Sequence, residues 1–559
     1  MKGWRRDAGV IGTMVLLACV LLLAPGCGSA AQPAEPITAS PGAAATGAPL
    51  GVVALQEGRV SGVESGGVSV YLGIPYAAPP VGALRWRPPQ PAKPWAGVRA
   101  CTQYGASCIQ GNAPDHPGVQ SGAQSEDCLY LNVWTPAKTR RERLPVMVWI
   151  HGGGFISGSG VLPVPGGTML SSIEHVIVVS FNYRLGVFGF FAHAQLSRES
   201  PHDVSGNYGL LDQMEALRWV RRNIAAFGGD PRRVTIFGQS AGGQSVIAQL
   251  VSPLSRGLFS RAASESPRYQ DRGVGLWSTL TLKEQEQEGE EIADDLGIPD
   301  GPGQAAALRK VSAARLAAVT APVPRGLPLM FVHPPQPSFQ PVVDGYVLPA
   351  EPWKLLRSGK WAHVPLLIGS NQDECNMWLS GLPAPQAASV ALTSRQRVQW
   401  FTGPDWPSLD RRFPAAPPSS IMPHTSRMMT VLEFNAPARY AARVAAESQK
   451  SFLYYFTRVP PGDAAGADHG VEVPYVFGRV AARAQKGVTD GTDIALSRVM
   501  MHYWASFAAT GDPNSPGAPT WNAYDPKIDR ALWIGPVAAM SGAPYPEACA
   551  VAERADRDH

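Results

Sequence analysis

Two stretches of the chain hold almost no polar residue: Leu144 to Ile150 (LPVMVWI) and His175 to Tyr183 (HVIVVSFNY). Apolar runs of this length predict strands buried on both faces, as in a mostly parallel sheet covered by helices. After them the period changes. Leu210, Met214, Leu217, Val220, Ile224 and Phe227 recur at three- and four-residue steps, giving a helix one apolar face, and Gly228-Gly229-Asp230-Pro231 ends it. Arg233 to Phe237 then reads as another short buried strand, and Ala241 onward as helix. Further strand patterns follow at Val364 to Ile368, Ser451 to Thr457 and Ala531 to Ile534. Strand, crossover helix, strand is the α/β plan.

Upstream, the short β-type runs Gly51 to Leu55 and Val68 to Tyr71 lead into a Pro-rich stretch from Pro75 to Pro94, which predicts an antiparallel edge followed by a surface loop. Residues 281–325 are polar, Ala-rich and helical in pattern, and 380–425 is rich in Pro and Ser. Both read as insertions or a lid over the sheet. No repeat of fixed period interrupts this plan.

Composition narrows the class. Of 559 residues, 45% are hydrophobic and 16% charged, which fits a large core and excludes a disordered chain. The formal net charge is +4 and no run of like charge occurs after the N-terminus, so nucleic acid is not an expected partner. Lys2, Arg5 and Arg6 precede an uncharged apolar stretch from Gly9 to Pro25, the pattern of an export signal covering residues 1–27. Leu23-Ala24-Pro25-Gly26-Cys27 resembles a bacterial lipoprotein processing site, with Ala24 where a larger aliphatic residue is usual. Cys27 is therefore a candidate for lipidation and for tethering the chain to a membrane. Residues 28–49, rich in Ala, Pro, Gly, Ser and Thr, predict a flexible linker, and 50–559 one folded domain. In an oxidising compartment Cys108 and Cys128 are the natural disulfide pair, closing a loop with little apolar surface of its own. Cys101, Cys375 and Cys549 remain, the last two reading as buried thiols.

The chemistry begins at Gly238-Gln239-Ser240-Ala241-Gly242, a G-x-S-x-G motif directly after a strand pattern and directly before a helix. Such an elbow strains the serine backbone, and the flanking glycines allow the close packing that presents its hydroxyl. A second motif, His151-Gly152-Gly153-Gly154, follows the strand ending at Ile150. Nucleophilic attack on an ester develops charge on the carbonyl oxygen, and backbone N–H groups of Gly153, Gly154 and Ala241 are the candidate donors to it. His151 itself reads as structural.

A serine hydroxyl needs a base, and the base needs a carboxylate to orient it. Of the downstream histidines, His363 precedes a strand at the wrong sheet edge and His502 sits in a helical pattern with Tyr503 and Trp504. His469 follows the strand Ser451 to Thr457 through a Gly- and Asp-rich loop, at the same edge as Ser240, and is the best base. The loop after Val364 to Ile368 offers Asp373 or Glu374 as the acid, and spacing does not choose between them.

These residues, together with SEDCLYLNVW (125–134), LGIPYAAPP, LRWRPPQP, FNYRLGVFGFF, PVVDG (341–345), GADHGVEVPYVFG around His469 and YWASFAATGDPN, resemble the type-B carboxylesterase family, which includes cholinesterases and bacterial para-nitrobenzyl esterases. The resemblance covers almost the whole chain from residue 50. It implies an α/β-hydrolase fold, Ser240 as nucleophile, Glu374 as acid, His469 as base, and the Cys108 to Cys128 loop. It implies no metal and no organic cofactor, with a small-molecule ester as the partner. Two departures bear on substrate. The family's cholinesterases carry a Trp in the disulfide loop and a Glu before the nucleophile. Here residues 109–127 lack an aromatic and Gln239 replaces the Glu, so neutral esters are expected over choline esters. Members of the fold that serve as adhesion proteins have lost the nucleophile, which this chain keeps.

Overall fold

Apolar alternation in the strands is resolved into two packed faces. In Leu144–Ile150, Val146, Val148 and Ile150 enter one hydrophobic cluster while Met147 and Trp149 enter another. Ile177–Phe181 divides in the same way, with Val178 alone facing the second cluster, and so does Leu366–Asn371, where Leu367 faces it. Successive side chains of a strand point to opposite faces, so a run that is apolar throughout needs cover on both. The observed strand bounds match the apolar runs closely for this reason.

The structure is a computed structural model that describes residues 50–110, 123–162, 166–268, 279–320, 339–379, 382–414, 421–480 and 489–558, all within one compact unit, Thr46–His559. Its main sheet has eleven strands: β1 (Val63–Ser65), β2 (Val68–Pro75), β3 (Tyr130–Thr135), β4 (Leu144–Ile150), β5 (Ile177–Phe181), β6 (Gly229–Gln239), β7 (Arg261–Glu265), β8 (Leu366–Asn371), β9 (Ser451–Phe456), β10 (Arg530–Ile534) and β11 (Ala538–Gly542). Across the sheet they run β11-β10-β9-β8-β7-β6-β4-β5-β3-β2-β1. From β10 to β5 all neighbours are parallel, and β1, β2, β3 and β11 pair antiparallel at the two edges. This is the mostly parallel sheet the pattern predicts.

The helix Tyr208–Asn223 continues as a tighter turn to Phe227 and stops where Gly228 takes a left-handed φ of 84°. Two elements depart from the reading of the sequence. Strand β7, RAASE, is buried from Ala262 to Glu265 but carries no β-branched or aromatic residue, so it gives no strand signal. The Pro- and Ser-rich stretch contains a long helix, Ala384–Thr402, whose Pro385 stands in its first turn, where a missing N–H costs nothing. Its Val390, Val398 and Phe401 pack with Cys375, Leu379 and the C-terminal helix Pro546–Asp558 in a third hydrophobic cluster. The insertion therefore owns a core. Residues 281–325 supply the helices Leu282–Asp295, Gln304–Lys310 and Ala313–Val319.

Cys108 and Cys128 form a disulfide with a Cα separation of 5.0 Å, while Cys101, Cys375 and Cys549 are buried free thiols. No described helix is long and apolar enough to cross a membrane. The export signal, Cys27 and the linker lie outside the described residues.

Candidate active site

All the elements that bring chemistry together end at the carboxyl edge of the parallel strands, where α/β sheets open to ligands. β6 ends at Gln239, the helix Ala241–Val251 begins two residues later, and Ser240 between them adopts φ 59° and ψ −125°. A non-glycine residue there is strained, and the surroundings hold it in place. A side chain on Gly242 would put its Cβ 2.0 Å from the Ile150 carbonyl oxygen, and one on Gly238 would meet the same atom at 2.6 Å. Those two glycines let helix and strand close on each other. The Ser240 amide donates to the Glu265 carbonyl at 3.0 Å, tying the elbow to β7.

The glycine loop after β4 folds against this turn. Gly153 and Gly154 have φ of 107° and 62°, and the Gly153 carbonyl accepts from the Ile156 and Ser157 amides at 3.1 and 2.9 Å. A Cβ on Gly152 would lie 3.1 Å from Ser240 Cβ, so the loop borders the serine. Among the described residues, no hydrogen bond engages the N–H groups of Gly153, Gly154 or Ala241. His151 is buried, stacks on Tyr183 at 4.3 Å, and is pushed down to about 4 by burial, as a structural neutral ring would be.

β8 and β9 deliver the acid and base loops. Glu374 Oε2 lies 2.5 Å from His469 Nδ1, and its Oε1 accepts the Asn371 amide at 2.7 Å. Asp373 turns away, its carboxylate accepting the Ala467 amide at 3.0 Å. The spacing of the sequence left these two carboxylates level; side-chain direction separates them. Neither rejected histidine approaches the site: His363 bonds Gly359 and Ser448, and His502 bonds Glu174. On its other side His469 Nε2 meets the Gln239 side-chain Nε2 at 3.1 Å.

Of the neighbours of this dyad, Trp378, Phe434 and Arg268 have no motif of their own, while Glu472 lies in the quoted stretch around His469. The His469 ring lies between Trp378 and Phe434, with centroids 4.9 and 5.2 Å away. Glu472 accepts from the Asn371 side chain at 2.5 Å, and the same amide reaches the Asp468 carbonyl at 2.7 Å. Arg268, beyond β7, pairs with the buried Glu433 and sits 5.9 Å over Phe434. Burial dominates the titration here because it penalises charge. It raises Glu374 and Glu472, while the Asn371 amide and side chain, donating to them, act in the opposite direction. Burial lowers His469 to about 4, with the positive Arg268 acting in the same direction and Glu472 opposing.

A cavity opens beside the helix that follows Ser240, lined by Phe155, Gln244, Ile247, Arg268, Leu348 and Trp353 among others. Of its lining residues, Phe155 follows the glycine loop and Gln244 stands one helical turn past Ser240. Arg268 is the charged residue in its lining. No metal-ligating cluster occurs among the described residues.

Comparisons with known proteins converge on one family. A family model described as "Carboxylesterase family" matches residues 50–552. Fumonisin B1 esterase of Sphingopyxis macrogoltabida is 38% identical over 87% of this chain and 87% of its own length. Para-nitrobenzyl esterase of Bacillus subtilis (strain 168) is 36% identical over 86% of this chain and 94% of its own. A solved PNB esterase structure superposes with a TM-score of 0.76 at 32% identity, covering 90% of this chain and 99% of that one.

Proposed function

The chain belongs to the carboxylesterase family and hydrolyses carboxylic esters, and we propose that it does so through Ser240, His469 and Glu374 by way of an acyl-enzyme. In this reading His469 Nε2 takes the Ser240 proton as Oγ attacks the ester carbonyl. Glu374 holds Nδ1–H and so keeps the lone pair on Nε2. The amides of Gly153, Gly154 and Ala241 receive the oxyanion, the alcohol leaves with the proton His469 returns, and water repeats the cycle on the acyl-enzyme. The observation that carries the assignment is the 2.5 Å contact of Glu374 with His469 on a loop whose other face touches Gln239, the residue before Ser240.

We further propose neutral esters as the preferred class. Among the described residues lining the cavity there is no carboxylate to attract a quaternary ammonium group, and the charge of Arg268 is already paired with Glu433. The loop 109–127 also carries no aromatic side chain to attract one. The test is hydrolysis of para-nitrophenyl acetate, para-nitrophenyl butyrate and butyrylthiocholine by wild type, Ser240→Ala and His469→Ala. Both variants are expected to lose about 10⁴-fold or more in kcat. Wild-type rates in either variant would overturn the catalytic assignment, and a higher kcat/KM for the thiocholine ester would overturn the neutral preference.

Export is proposed from residues 1–27, with Cys27 as the tether. Mass spectrometry of the mature N-terminus distinguishes an acylated Cys27 from a free start further along, and an intact Met1 would sink the export reading.

A further inference from the structure

Both ring nitrogens of His469 are engaged by side chains of the protein. Nδ1 faces Glu374 at 2.5 Å, and Nε2 faces the Gln239 amide nitrogen at 3.1 Å. An amide NH₂ only donates, so the ring nitrogen it meets must offer a lone pair. That is the tautomer in which Nδ1 carries the proton and donates it to the Glu374 carboxylate.

The Gln239 side chain has little room to be elsewhere. The residue is buried, and it passes between two glycines. A Cβ on Gly152 would lie 3.3 Å from its Oε1, and a Cβ on Gly470 would lie 3.4 Å from its Nε2. Gly470 is the residue after His469, and Gly152 belongs to the glycine loop. The amide thus spans the gap between the oxyanion loop and the base loop, presenting its nitrogen to the base.

We propose that Gln239 is a positioning residue that holds His469 at rest as the neutral ring, its amide occupying the Nε2 lone pair until it yields that lone pair to the Ser240 hydroxyl. The proposal rests on the reading of His469 as the base. Its consequence is directional. When Nε2 takes the Ser240 proton, N–H would face N–H, so the amide must release the ring or turn Oε1 toward it. The resting contact therefore favours neutral imidazole over imidazolium. A carboxylate at this position would do the reverse, attracting imidazolium and filling Nε2 with a proton at higher pH.

The charged and titratable groups that face His469 from packed elements are Glu374 on the loop after β8, Glu472 on its own loop and Arg268 after β7, with Glu433 behind Arg268 and Asp373 bonded to the strand of chain leading into His469. None of them changes in the variants that test the proposal.

The experiment measures kcat/KM for para-nitrophenyl butyrate against pH for wild type, Gln239→Met and Gln239→Glu, with thermal melting of each and His469→Ala alongside. Gln239→Met keeps the length and removes the donor. Its acid limb is expected to move to higher pH by a fraction of a unit, while Gln239→Glu is expected to move it up by about one to three units. The latter amounts to a rate about ten- to a thousandfold below wild type at a pH beneath both limbs. Acid limbs that superpose on wild type in both variants would overturn the proposal, whatever the melting temperatures. Should Gln239→Glu fail to fold, an unmoved limb in Gln239→Met alone overturns it. An active His469→Ala overturns instead the reading beneath it, so the two failures are distinguishable.

Discussion

The elbow at Ser240 and the loops carrying Glu374 and His469 hold their residues by different physics. At the elbow the restraints are steric and belong to the backbone. Gly238 and Gly242 leave no room for a methyl group against Ile150, and the strained serine is over-determined by strand, helix and the β7 carbonyl. At the acid and base loops the restraints are side-chain hydrogen bonds among buried groups that titrate. Glu374, Glu472 and His469 are all pushed by burial toward their neutral forms, and Asn371 ties two of them together. A nucleophile can be placed by shape alone. A base must be placed and also kept in one protonation state, which only polar neighbours achieve.

That contrast can be broken from either side. Glu374→Gln is expected to have the largest effect on rate, a loss of about 10⁴-fold in kcat with little change in melting temperature. An amide in that position donates toward Nδ1, the ring proton moves to Nε2, and the base is lost although the geometry survives. A loss smaller than tenfold would show that Glu374 is not what fixes the tautomer.

Gly242→Ala is expected to act on stability instead. Its new Cβ would stand 2.0 Å from the Ile150 carbonyl, and relieving that overlap by backbone shifts costs about 3 kcal/mol or more. Thermal melting should fall by several degrees, or soluble protein should be lost. A variant that melts like wild type would contradict the steric account of the elbow.

Asn371→Ala lies between them and has the smallest expected effect. It leaves the Asn371 amide on Glu374 intact but removes the donor to Glu472, so burial pushes the Glu472 carboxyl further up. Protonation of Glu472 removes a negative charge that raises His469, so the acid limb of kcat/KM should move to lower pH by a fraction of a unit. The destabilisation expected from the lost hydrogen bonds is about 1–3 kcal/mol. A limb that moves upward would show the Glu472 charge to be unimportant to the base.

The part of the site written in contiguous residues was legible in advance. G-x-S-x-G and the glycine loop state their own backbone requirements, because strain and close approach are properties of neighbours in the chain. The helix Tyr208–Asn223 and the strands β4, β5 and β9 were legible for a similar reason, since period and burial are both local. Strand β7 was not, because three small residues buried under other elements look like a loop until the helix that covers them is known. Trp378, Phe434 and Arg268 were silent as well. Each comes from a different segment and gains its role only by standing near His469.

What the amino-acid order determined by itself is the alternation that buries a parallel sheet on both faces, the glycines that permit the elbow, and the two cysteines that close one loop. What only the tertiary structure decided is direction. It turned Glu374 toward His469 and Asp373 toward the Ala467 amide, and it set the Gln239 amide against the free nitrogen of the ring. Adjacent carboxylates are equivalent in a string of letters. They differ once packing lets only one of them reach the imidazole.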